Sequence, residues 1–396
     1  IKQDWEECAK IGDAAVEPLV RYFAGTAEQL TKEPQNPEYK ENIEGIGEAL
    51  VKIGDPAIEP LLTLLQKGAG AASLSIIEIL CRIGKNAAPP LISALNNREA
   101  AIRFLAARAL GRIASNEAIE PLIVALDDPD DRVCREAVIS LGSIGDRRAV
   151  EPLILRLSDL KEEIRREAAI ALGKIRDFRA QQPLMKALQD TNEGVRIAAA
   201  QALGKFADEQ AVPALVNTLR REREETQRAA AEALVAIGGV QGIEMLIDLL
   251  VGVTDSTNWN PASQNYDLQS TLAAGYIQIK TKWALAEMAP QSIQPLILAL
   301  KGKSEQVRFH IHQTLGMIGE PAIEALIRRL EDPDTIWRML AADALKDTGW
   351  QPGMDRNSAA YWAIRLDWDK CAAVGSEAVP ILIRALRENS AWERMK

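Results

Sequence analysis

One phrase recurs along the chain at a nearly fixed interval. Residues 119–126 read IEPLIVAL, 150–157 VEPLILRL, 181–188 QQPLMKAL and 212–219 VPALVNTL. The first core leucine of the phrase falls at Leu19, Leu61, Leu91, Leu122, Leu153, Leu184, Leu215, Leu246, Leu296, Leu326 and Leu382. From Leu91 to Leu246 successive copies are 31 residues apart. A unit of that length cannot enclose a core of its own, so each copy must bury its apolar face against the next. This excludes a single globular core and escapes the size limit that would split a compact chain of 396 residues into several domains.

Each copy is preceded by a second phrase, such as IRREAAIALGKI at 164–175. There Ile164, Ala168, Ala171 and Leu172 fall at i, i+4, i+7 and i+8, one face of a helix. In the leucine phrase Val150, Leu153, Ile154 and Leu157 do the same. Between them lies a turn such as SIGDRRA (143–149). Gly145 suits the left-handed C-cap of the first helix, and Asp146 suits the N-cap that follows. Pro152 stands near the start of the second helix, where a missing N–H costs least. The unit is therefore an antiparallel pair of helices, here called helix A and helix B. Aromatic residues are only 5% of the chain against 47% hydrophobic residues, so Ala, Leu, Ile and Val dominate and suit closely packed helices. The expected fold is all-α, a right-handed solenoid of about eleven hairpins in one domain over residues 1–396.

The combined phrase D-x-x-V-R-x-x-A-A-x-A-L-G-x-I-G-D-x-x-A-V-x-P-L-I-x-x-L resembles the short bacterial and archaeal HEAT repeat. It is similar to the variety named after phycobilisome bilin lyase subunits and to artificial scaffolds of HEAT-like consensus. The best copies are residues 99–126, 130–157, 161–188 and 192–219. The resemblance implies an interaction scaffold and carries no residue with a lyase role.

Regular units are expected over about 71–250, and three stretches break the period. Residues 24–40 (AGTAEQLTKEPQNPEYK) read as an extended connection. Residues 252–270 (GVTDSTNWNPASQNYDLQS) read as a polar inserted loop. Residues 347–366 (DTGWQPGMDRNSAAYWAIRL) resemble a longer HEAT variant in which a Gly-Trp-x-Pro turn and a Tyr/Trp-bearing helix precede the next hairpin. The chain also writes one phrase twice. DWEECAKIGDAAVEPLVRYF (4–23) and DWDKCAAVGSEAVPILIRAL (367–386) share nine positions, including Trp5/Trp368, Cys8/Cys371 and Gly12/Gly375. The first copy lacks the turn and helix that precede the second, so the sequence is expected to be cut from a longer array. Trp337, Trp350, Trp362 and Trp368 are expected to fill gaps left by irregular units.

The residues offer little chemistry. Related enzymes of this repeat class hold two irons through His-Glu dipeptides. The two histidines here, His310 and His312, are followed by Ile311 and Gln313, and they are expected at surface and semi-buried positions. Clustered Cys/His ligands, a phosphate-binding glycine loop, a dinucleotide fingerprint and a nucleophile elbow are all missing from the sequence. No catalytic residue, metal site or cofactor is therefore assigned. Cys8, Cys81, Cys134 and Cys371 are widely spaced, as in reduced thiols of a cytoplasmic protein. A net charge of −9 and a mixed helix-B surface argue against nucleic acid, and no apolar run is long enough for a membrane helix. Arg103, Arg165, Arg196 and Arg308 recur with Asp128, Asp159 and Asp190 one loop earlier and read as a structural ladder between units.

The leading functional expectation is a non-enzymatic scaffold holding a protein partner on the concave helix-B surface. The candidate binding residues are Glu151, Arg156, Lys186, Asn217, Asp248, Arg328 and Arg329 on helix B, with Trp259 and Tyr266 in the loop at 252–270. Two alternatives are a bilin lyase-type, chromophore-handling subunit acting on phycobiliproteins, suggested by the repeat variety alone, and a sensor or docking segment of a longer multidomain protein.

Overall fold

A computed structural model describes residues 5–67, 72–221, 223–256 and 268–393. The described residues form 24 α-helices, several short 3-10 turns and no strand. The chain divides into two compact units, Ile1–Ala202 and Leu203–Lys396.

The first unit is built from α1 (Trp5–Ile11), α2 (Asp13–Lys32), α3 (Pro37–Ile53), α4 (Ile58–Gln66), α5 (Ser73–Ile83), α6 (Ala88–Ala94), α7 (Ala100–Ile113), α8 (Ile119–Val124), α9 (Asp131–Ile144), α10 (Val150–Arg156), α11 (Glu162–Ile175) and α12 (Gln181–Ala187). The division falls inside α13 (Glu193–Phe206). The second unit continues with α14 (Val212–Arg221), α15 (Glu224–Ile237), α16 (Val240–Ser256), α17 (Leu268–Glu287), α18 (Ile293–Ala299), α19 (Glu305–Ile318), α20 (Glu320–Arg329), α21 (Thr335–Asp347), α22 (Arg356–Ile364), α23 (Trp368–Ala373) and α24 (Val379–Glu393). Each unit is a stack of antiparallel hairpins, an all-α solenoid.

The hairpin α9–α10 shows how the sequence produces the unit. Asp130 caps α9 by accepting the Arg132 N–H, and Gly145 closes it in the left-handed conformation, φ 79° and ψ 15°. Asp146 then accepts the Arg148 N–H and opens the 3-10 turn Arg147–Ala149 that leads into α10. Val133, Ala137, Val138 and Leu141 from helix A and Val150 and Leu153 from helix B are buried. Burying each leucine or valine in this way contributes roughly 1.5–3 kcal/mol.

Neighbouring helix A elements approach unusually closely, and the glycine of the A-L-G phrase is the reason. A Cβ built on Gly142 would stand 2.7 Å from the Ala171 Cα. One on Gly173 would stand 2.8 Å from the Ala202 Cα, and in the second unit one on Gly204 would stand 2.9 Å from the Ala233 Cα. At the equivalent Gly111 the space is taken by Ser140, whose hydroxyl donates to the Ala107 carbonyl at 2.8 Å. Helix backbones therefore touch where the glycine recurs, which fixes the stacking of one hairpin on the next.

Arginines tie the loops together. Arg103 makes a two-pronged bond to Asp128 (2.7 and 2.8 Å) and donates to the carbonyls of Asn97 and Arg98. Arg165 repeats the arrangement with Asp190 (2.7 and 2.7 Å) and the carbonyls of Asp159 and Leu160. The ladder expected from sequence is present, with its direction corrected. The carboxylate partner lies in the following loop, 25 positions ahead, whereas the preceding loop offers only its carbonyls. Asp128 and Asp190 are free to receive the guanidinium because each also accepts a main-chain N–H two residues on, which turns its carboxylate toward the hairpin.

The breaks in the period differ in kind. Residues 24–40 are not an extended connection. α2 runs to Lys32 because Ala24, Ala27, Glu28, Gln29 and Leu30 favour helix, Phe23 and Ala27 are buried, and Glu28 pairs with Lys32 at 3.0 Å. Asn36 then caps α3 with Pro37 at its first position. Of 252–270, residues 252–256 end α16 and 268–270 begin α17, and the stretch between lies outside the described residues. In residues 347–366 a turn and the helix α22 precede the next hairpin. Gly349 is left-handed, Trp350 packs edge-on against Tyr361 at 5.3 Å, and Tyr361 against Trp362 at 5.0 Å. Trp362 in turn lies under the Lys370 ammonium at 4.3 Å.

Candidate interaction surface

The outward side of helix B is set by register. In the hairpins from Leu61 to Leu326 the residue two positions after the core leucine points away from the hairpin interior. In the first unit this column reads Thr63, Ser93, Val124, Leu155 and Lys186, and in the second Asn217, Asp248, Leu298 and Arg328, all exposed. Val124 is 73% exposed, Leu155 69% and Leu298 55%. Two consecutive hairpins, those ending in α8 and α10, thus present apolar side chains from the same position. Leu160, in the loop after α10, is 96% exposed.

The residues expected to bind fall into three groups. Lys186, Asn217 and Asp248 stand in this column. Arg328 does too, within 3.5 Å of Glu324. Glu151 is exposed one turn earlier on α10 and lies 3.5 Å from Arg179. Arg156 and Arg329 belong to the scaffold instead. Arg156 occupies the column of Ala125, Ala187 and Thr218, all buried, and its guanidinium is spent on Asp127 (3.0 Å), Asp159 (3.6 Å) and the Leu126 carbonyl. Arg329 pairs with Asp332 at 2.7 Å and covers the Trp337 ring at 5.4 Å. Trp259 and Tyr266 lie outside the described residues.

Val124 and Leu155 were not among the candidates, which were all polar or aromatic. The signal that finds them is the alignment itself, since Lys186, Asn217 and Asp248 hold the same register position.

Two further expectations change. His312 is buried, 4% exposed, and not semi-buried. It stands in the helix-A column of Val138 and Ala169, where a ring is tolerated because Asp347 reaches its Nδ1 at 2.7 Å. Its Nε2 is buried without a partner. His310 is half-buried, and burial and the nearby Lys282 push it below the usual histidine range. Trp368 is 39% exposed and borders a cavity, so it does not fill a gap in the way Trp350 and Trp362 do. Among the described residues no group of three His, Cys, Asp or Glu is placed to hold a metal ion, and no helix is long and apolar enough to cross a membrane. The cysteines are unpaired, and burial pushes the Cys134 thiol up to about 11.

A model of HEAT repeats matches residues 58–142, 119–195, 181–257 and 272–346. The chain belongs to the HEAT-repeat family. No curated protein matches the sequence. Among solved structures an engineered protein is 22% identical, covering 88% of this chain and 99% of its own, with a TM-score of 0.44. Kap95p, from a structure with RanGDP, is 13% identical over 95% of this chain and 64% of its own, with a TM-score of 0.45. The complex of CpcE and CpcF of phycocyanin lyase from Nostoc sp. PCC7120 is 22% identical over 72% of this chain and 94% of the other, with a TM-score of 0.28.

Proposed function

We propose that this HEAT-repeat protein is a non-enzymatic scaffold that holds a partner protein against its helix-B faces, with Val124 and Leu155 as the apolar anchor in the first unit. The observation that carries the reading is the pair of exposed side chains at one register position on consecutive hairpins. Stacked helices stand about 8–10 Å apart, so the two side chains form one patch, and contiguous exposed apolar surface marks interaction sites more often than scattered residues do. Glu151 and Lys186 flank the patch with opposite charges and set the register of a bound segment. A few well-buried side chains carry most of the energy of such contacts.

The test is capture of the partner by the whole chain, its identification, and measurement of its affinity for Leu155→Asp. The expected result is a loss of 10-fold or more, about 1.4 kcal/mol or above, with helical content unchanged. An unchanged affinity in Leu155→Asp and in Val124→Asp contradicts the assignment.

A further inference from the structure

The two copies of the duplicated phrase differ at the neighbour of their tryptophan. In the first copy the Trp5 ring packs beside Tyr22, with centroids 6.0 Å apart and planes tilted by 37°. In the second copy Trp368 corresponds to Trp5, and Ala385 stands where the first copy has Tyr22. The alanine borders a cavity of about 270 Å³ in the second unit, walled by Met339, Ile364, Leu366, Trp368, Ile381 and Ala385. Leu366 holds a left-handed backbone, φ 59°, at the break between α22 and α23. Leu366 and Met339 are 66% and 55% exposed, so the cavity opens to solvent through apolar side chains. An apolar cavity of about 150 Å³ is enough to take a benzene ring, so the space here admits one aromatic side chain.

We propose that this cavity binds the aromatic side chain of a tyrosine or phenylalanine in a partner protein, seated beside Trp368 as Tyr22 is seated beside Trp5. The first copy supplies its own ring, and the second receives one from outside. Stacking against a tryptophan and burial of the ring provide the affinity. The charged residues that line the cavity, Arg338 and Arg384, are both cationic. The segment that carries the ring is therefore neutral or acidic around it. Arg384 donates to the carbonyls of Glu331 and Asp332 at 3.2 and 2.8 Å, and Arg338 to those of Asp332 and Pro333 at 2.9 and 3.2 Å. These bonds hold the wall of the cavity in place. The site is separate from the Val124–Leu155 patch, and either can fail without the other.

The experiment titrates p-cresol, the side chain of tyrosine, into the whole chain. It follows the Trp368 indole N–H resonance, assigned by its loss in Trp368→Phe. The expected result is a saturable shift with a dissociation constant on the order of 1 mM. Isovaleramide at equal concentration gives no shift. Ala385→Tyr rebuilds the first copy's pair and abolishes the p-cresol shift. The absence of a saturable shift in the unmodified chain overturns the site, and that arm holds whether or not the variant folds. An equal response to isovaleramide overturns the aromatic specificity. A Trp368 shift that follows protein concentration alone assigns the cavity to a second copy of the chain. That outcome overturns the partner assignment.

Discussion

The glycine of the A-L-G phrase means different things in different parts of the chain. In the regular hairpins Gly142 and Gly173 let helix backbones touch, and a Cβ at either would meet main-chain atoms of the next helix A within 2.8 Å. Gly316 has the same place in its phrase, TLGMI, but the nearest atom to its notional Cβ is the Thr348 Cα at 3.6 Å, an ordinary contact. The hairpin that follows Gly316 leads into the Trp350 turn. There, aromatic side chains take over the packing that small residues perform elsewhere. A repeat motif therefore reports position in the unit reliably and local energetics only when its neighbour is regular.

The contrast is broken or sharpened most strongly by a matched pair of variants. Gly142→Ala should cost about 2–4 kcal/mol, because backbone has to move. Gly316→Ala should stabilise by about 0.5–1 kcal/mol through helix propensity. Urea unfolding midpoints of the two variants read this directly, and equal costs would remove the distinction. Next in size, Arg103→Ala leaves Asp128 with the Asp130 N–H as its main-chain donor and should lose about 2 kcal/mol. Arg328→Ala, from an exposed pair, should stay within about 0.5 kcal/mol. Smaller again, Asp146→Ala removes the acceptor of the Arg148 N–H and should cost about 1 kcal/mol.

The smallest effect is a dependence on pH. The Arg103 guanidinium, helped by the Asp130 N–H and opposed by burial, holds Asp128 below the usual carboxylate range. A depressed carboxylate stabilises the fold above its unfolded value of about 3.9, and that stability is lost as pH falls through the folded value. Thermal midpoints should therefore fall below about pH 4. The fall should be shallower in Arg103→Ala, which has lost the interaction already. Parallel slopes in the two proteins would contradict this.

Much of the fold was legible in the sequence because the repeat encodes it redundantly. Gly145, Asp146 and Pro152 each mark a boundary for a separate physical reason, and all three agree with the helices observed. The connection at 24–40 reads as extended by its Pro34 and Pro37, whereas AEQL (27–30) is a run of good helix formers that carries α2 on to Lys32. The direction of the arginine ladder could not be read either. Asp159 and Asp190 are both within reach of Arg165 in sequence terms, and only the hairpin geometry selects the second. The exposure of the candidate surface was legible in part. Exposed polar residues of helix B were found, but Arg156 was placed on the surface because an arginine is rarely expected in a column of buried alanines. Leu155 was left unassigned, although Lys186 and Asn217 hold the same register position. At both positions side-chain type and register point opposite ways, and the burial observed follows register.

The most direct test of the interaction surface is photo-cross-linking from single positions in the first unit. A benzophenone side chain is placed at Leu155 on helix B, and at Lys174, exposed on helix A of the next hairpin. The scaffold reading predicts that the same partner protein is trapped from position 155 and not from 174, and that Val124→Asp abolishes the product from 155. Trapping from 174 alone, or from both positions regardless of Val124, would contradict it.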